Sequence, residues 1–80
     1  MNDPLPPLPA APTPGHYVHY KGGRYRVVGL ARHSETLEPH VVYEALYGPG
    51  SLWVRPAAMF TEEVTFAGVR QPRFRRLPEA

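Results

Sequence analysis

No cysteine occurs anywhere in the chain. Disulfides and thiolate metal sites are therefore excluded, and stability has to come from packing or from self-association. Long apolar runs are missing too: nothing approaches the roughly 18 residues of a membrane span. The opening MNDPLPPLPAAPTPG has an early acid, no basic stretch and no apolar core, so a secretory signal is not expected. These absences make the cytoplasm the expected compartment, without a membrane partner. Net charge is also scarce. Nine Lys and Arg against seven Asp and Glu leave +2, too little to imply nucleic acid by itself. Gly22-Gly23 has neither the spacing nor the following helix of a phosphate-cradling loop.

Proline, by contrast, is abundant and unevenly placed. Six of the eleven prolines fall within the first fourteen residues. Proline lacks an amide proton and fixes φ, so residues 1–14 are expected as a disordered or polyproline II tail. The domain is expected over residues 15–74, with 75–80 as a C-terminal tail. Eighty residues allow one small core, because a chain of this size buries only about 60% of its unfolded surface.

Between the tails the punctuation is that of a β-meander. HYVHY (16–20) and RYRVVGLA (24–31) flank Lys21-Gly22-Gly23, a tight-hairpin signal. HVVYEALY (40–47) ends at Gly48-Pro49-Gly50, SLWVR (51–55) is stopped by Pro56, and EVTFAGV (63–69) completes five expected strands. Pro56 is expected to start one helical turn whose Met59 and Phe60 close the end of the sheet. The charges suggest a register. Arg24, Arg26 and Glu44 share a wet face, while Tyr25, Val27 and Ala31 point inward with Val41, Tyr43 and Ala45. Val28, Val42 and Leu46 then fall on the wet face, which suggests a strongly bent sheet or a covering partner. The fold expected is all-β: a small five-stranded SH3-like barrel with one helical turn before its last strand.

Three groups of residues carry chemistry. The first is the polar run Arg32, His33, Ser34, Glu35 and Thr36. Consecutive residues of an extended strand project to opposite faces, so Ser34, His33 and Glu35 form no charge relay there. In a loop they either shape the turn through hydroxyl–backbone bonds or contact a ligand. No catalytic residue is assigned. His33 and His40 flank this loop, and His16 and His19 fall on opposite strand faces; neither pair makes a metal site, and no cofactor is implied. The second group is aromatic. Nine aromatic side chains are many for this core, so some should be exposed. Trp53 and Arg55, two apart on one strand face, mark with Tyr43 a recognition groove, although Trp53 reads equally well as core. The third group is Arg70, Arg73, Arg75 and Arg76, either a solvated basic tail or a weak phosphate-tracking patch.

The stretches GHYVHYKGGRYRVVGLARHSETLEPHVVYEALYG, LWVRPAAMFTEEV and the closing RF closely resemble a small bacterial family, domain of unknown function 1653. The likeness runs from Gly15 to Phe74 and includes the HSET run, Tyr43 and Trp53 to Pro56. It implies a stand-alone small β-barrel and carries no established activity or catalytic residue. The leading expectation is a binding module that recognises a protein segment, or weakly a nucleic acid, through its aromatic, Arg and His surface. A second copy of the chain is a further candidate partner. The alternative is small-ligand or enzymatic chemistry at the 33–36 loop, with His33 as acid/base and Arg55 as anion clamp. Geometry separates them: convergence of His33, Glu35 and Arg55 in one concavity favours the alternative, and an open groove of Tyr43, Trp53 and Arg55 favours the module.

Overall fold

A computed structural model describes Leu5 and residues 7–78 of the chain. The described fold is all-β with one helical turn. Its elements are β1 (Gly15–His19), β2 (Arg24–Arg32), β3 (Pro39–Ala45), β4 (Leu52–Pro56), α1 (Ala57–Phe60), β5 (Glu63–Phe66), β6 (Val69–Pro72) and β7 (Phe74–Arg76). Five strands form one antiparallel sheet in the order β4-β3-β2-β1-β7, and β5 and β6 form a separate hairpin. Among the described residues no helix is long and apolar enough to cross a membrane.

The closed five-stranded barrel of the sequence reading is not what forms. No ladder joins β4 to β7, so the sheet keeps two edges. It curls instead until side chains from its two ends meet: the Arg55 guanidinium of β4 lies 5.9 Å from the centroid of Phe74 on β7. The expected fifth strand, 63–69, breaks in the middle. Ala67 and Gly68 both take positive φ (53° and 76°), the geometry of a tight hairpin turn, and the chain doubles back as β6. Residues past Phe74 are also part of the sheet. Arg75 and Arg76 pair with Val18 and Tyr17, and the Leu77 N–H donates to the His16 carbonyl at 2.8 Å.

Register follows the charges as far as Val27. Arg26 stands opposite Glu44, bonded at 3.0 Å, and Tyr25 and Val27 stand opposite Ala45 and Tyr43. A bulge between Val27 and Gly29 then reverses the parity of β2. One extra residue on a strand turns every later side chain to the other face. Leu30, not Ala31, therefore opposes Val41 and packs on the core. Val28 and Leu46 sit on the wet face as the charges require, each 44% exposed.

The core is Tyr17, Val27, Val41, Tyr43, Ala57, Phe60 and Phe74. Phe60 is stacked on Phe74 with centroids 4.0 Å apart and meets Tyr17 and Tyr43 edge-on. Only half of the expected helical plug forms, because Met59 faces out while Phe60 is 1% exposed. Pro56 itself is extended (φ −52°, ψ 135°), capping the turn rather than opening it.

The proline-rich segment is anchored at its end. Pro12 is buried, the Tyr17 hydroxyl donates to the Thr13 carbonyl at 2.8 Å, and Arg76 Nη1 donates to Thr13 Oγ1 and the Pro14 carbonyl. Deleting residues 1–13 should therefore lower the melting point measurably. Removing two such bonds, one of them charged, costs about 1–3 kcal/mol. A thermal melt of the truncated chain superimposing on that of the full chain would show that the anchor contributes nothing. Residues 1–4 and 6 of the expected N-terminal tail, and residues 79 and 80 of the expected C-terminal tail, lie outside the described residues.

Candidate functional site

Three neighbouring strands bring a group of aromatic side chains to the rim of the curled sheet. Tyr25 comes from β2, Tyr43 from β3, Trp53 and Arg55 from β4, and Tyr47 from the turn after β3; together they line an open cleft of about 210 Å³. Its floor is held from below. Tyr43 is buried, meets Tyr25 edge-on at 5.4 Å and meets Phe74 at 5.7 Å. Trp53 stands opposite Tyr43 in the ladder but on the edge strand, with no strand beyond it among the described residues to cover the ring. That is why a residue on the core-facing side of its strand is still 54% exposed.

Tyr47 enters by a different route. Extending the β2–β3 register places it across from Gly23, which has no side chain to oppose it. The Tyr47 ring fills that space and leans on Tyr25, with centroids 5.5 Å apart and the two hydroxyl oxygens 2.5 Å apart. A Cβ on Gly23 would come within 3.3 Å of both rings, a tight contact that the glycine avoids. Burial, followed by the bond to Tyr47, pushes the Tyr25 hydroxyl up to about 12. It stays protonated at neutral pH and remains a hydrogen-bond donor.

Arg55 supplies the cleft's charge. Its Nε donates to the Tyr43 hydroxyl at 3.4 Å, and the guanidinium lies over the Phe74 ring. It is half-buried, and the ion pairs among the described residues involve other basic groups: Arg26–Glu44, Arg70–Glu63, Arg73–Glu62 and His40–Glu38. A guanidinium partly removed from water without a carboxylate is incompletely compensated, and an anion would complete it. The Arg55 charge also reaches His19. His19 is held below its ordinary value first by burial, then by the charges of Arg73, Arg55 and Lys21.

The other expected site residues lie elsewhere. Arg32 ends β2, and residues 33–36 lie in the 33–38 connection to β3. His33 Nδ1 accepts the N–H groups of Glu35 and Thr36 at 3.1 and 3.3 Å. The Thr36 hydroxyl accepts the Glu38 N–H, and the Leu37 N–H closes back on the His33 carbonyl. Leu37 takes a positive φ of 64° to complete the turn. His33 and His40 do become neighbours, with rings 5.6 Å apart, but no metal-holding group of three ligand residues exists among the described residues. Ser34 and Glu35 are exposed, and none of residues 33–36 lines the aromatic cleft. His33→Ala should accordingly destabilise the turn by about 1 kcal/mol, the scale of one capping-type interaction, and leave cleft binding unchanged. A melt together with a binding isotherm for this variant checks both halves.

The four C-terminal arginines are dispersed. Arg70 is bonded to Glu63 and Arg73 to Glu62, both at 2.6 Å, and Arg76 is turned toward Thr13 and Pro14. Arg75 is exposed and lines a separate cleft with His19 and Gln71. Tyr25 and Tyr47 are the cleft residues that strand periodicity assigned to no site. The available signal was Gly23, whose cross-strand neighbour is Tyr47.

Fold and cleft together define a small all-β domain with an exposed aromatic and arginine surface. The chain matches the family model described as "Protein of unknown function (DUF1653)" over residues 15–76, and it belongs to that family. A crystal structure of a protein of this family from Bordetella bronchiseptica is similar to it, with 38% identity and a TM-score of 0.78. The alignment covers 85% of this chain and 90% of that one. Comparison with curated proteins finds no match.

Proposed function

We propose that the protein is a binding module, acting in the cytoplasm, which takes an extended segment of a partner protein into the cleft of Tyr25, Tyr43, Tyr47, Trp53 and Arg55. The observation that carries this reading is the exposure of Trp53 beside a half-buried Arg55 that has no acidic partner among the described residues. Aromatic rings with polar tips and an arginine are the side chains that dominate protein recognition. Aromatic-lined grooves on small β domains are a recurrent way of taking extended peptides, which favours this reading.

Selection of random peptides displayed on phage against the full chain tests the proposal. Enriched peptides should bind the wild type and lose affinity for Arg55→Ala. Peptides that bind this variant as well as the wild type would place recognition elsewhere on the molecule.

A further inference from the structure

The edge of β4 next to the cleft is unusually bare. Natural edge strands are guarded by charges, prolines or bulges, because their free N–H and C=O groups invite another strand. Leu52, Trp53 and Val54 are instead three consecutive apolar residues, 65%, 54% and 63% exposed. The backbone groups they present can be read from the ladder. The Ala45 N–H donates to the Ser51 carbonyl at 3.0 Å, which makes this the hydrogen-bonded kind of antiparallel pair. Such pairs alternate with non-hydrogen-bonded ones along a ladder. Tyr43/Trp53 and Val41/Arg55 are therefore bonded to each other, whereas Leu52 and Val54, opposite Glu44 and Val42, turn their N–H and C=O groups outward. The same alternation appears on the other side of β3, where the Leu46 N–H donates to the Arg24 carbonyl.

We infer that an acidic extended segment of a partner protein adds to the sheet as an antiparallel strand along Leu52–Val54, with one of its carboxylates on Arg55. This deepens the binding-module reading and rests on it. The backbone of β4 supplies two residues' worth of outward donors and acceptors, and Pro56, without an N–H, ends the edge. Side chains of the added strand alternate, so every second one points to the same sheet face as Trp53 and Arg55. A carboxylate there meets a guanidinium already held by the Tyr43 hydroxyl, with no carboxylate of its own among the described residues. Charge complementarity selects an acidic segment over a second copy of the chain, because β4 has no acidic residue to offer a symmetry mate's Arg55.

The probe is a capped peptide, Thr-Val-Glu-Val-Glu-Val-Thr, titrated into the isotope-labelled full chain and followed by amide hydrogen exchange. The Leu52 and Val54 amides should become protected, while those of Trp53 and Arg55, already bonded to β3, change little. The glutamine version of the peptide, or Arg55→Gln in the protein, should weaken binding by about ten-fold or more, the scale of a desolvated charge pair losing one partner. Val54→Pro should abolish binding while retaining the β3 ladder, since the N–H it removes points outward. The wild-type exchange pattern decides the matter even if that variant does not fold. Perturbation of Trp53 and Tyr47 without protection at Leu52 and Val54 would overturn strand addition and leave the cleft reading standing. Equal binding of the glutamine peptide would overturn the acidic partner. Absence of any binding by either peptide, with phage-selected peptides still dependent on Arg55, would overturn this inference alone.

Discussion

Phe60→Ala should lower the unfolding free energy by about 3–5 kcal/mol, the measured range for truncating a buried aromatic residue. Phe60 is 1% exposed and contacts three other rings of the core, stacked on Phe74 and edge-on to Tyr17 and Tyr43. Its neighbours come from β1, β3 and β7, so the cavity left behind has no single flexible wall to collapse into it. A domain of this size has only about 5–15 kcal/mol to lose. The variant should therefore be substantially unfolded at temperatures where the wild type is intact. Met59→Ala, one residue away but 44% exposed, should cost much less. Urea melts of the two variants check the contrast. A Phe60→Ala midpoint equal to that of Met59→Ala would show that the helical turn does not close the core.

Trp53→Ala should weaken partner binding by about 2 kcal/mol or more, roughly thirty-fold, as truncation of an interface hot spot does. The same substitution should change folding stability far less than Phe60→Ala. Trp53 lies on the edge strand and is 54% exposed, so little of its ring leaves water on folding. Binding loss without stability loss distinguishes a recognition residue from a core residue. A large drop in the melt with binding of the remaining folded protein intact would return Trp53 to the core. Fluorescence offers a convenient readout, because this is the single tryptophan of the chain.

Much of the architecture was legible in side-chain alternation. The Arg26–Glu44 pair and the inward set of Tyr25, Val27, Val41, Tyr43 and Ala45 follow from period two and from charge. Alternation has no term for a bulge, so Ala31 was turned inward where Leu30 belongs. It also has no term for a tight turn whose first residue is an ordinary alanine: Ala67 takes positive φ beside Gly68, and a single expected strand becomes β5 and β6. The short strand at Phe74–Arg76 was hidden because its arginines read as a tail. Those arginines project from a sheet edge, where charge is tolerated. The site was legible where two residues shared a strand face, as Trp53 and Arg55 do. The contribution of Tyr47 depends on the empty place left by Gly23 across the ladder. The HSET run is dense in polar groups, and its chemistry is mostly local: His33 and Thr36 accept backbone N–H groups of their own loop.

The most direct measurement is a chemical-shift map of the labelled full chain titrated with a phage-selected peptide. Saturable shifts should concentrate on the Trp53 indole N–H, the Arg55 Nε–H and the amides of Tyr25, Tyr47 and Leu52 to Val54, leaving His33 to Glu38 and Arg70 to Arg76 at their free positions. Shifts centred on His33 to Glu38, with Trp53 and Arg55 unmoved, would contradict the assignment of the aromatic cleft as the binding site.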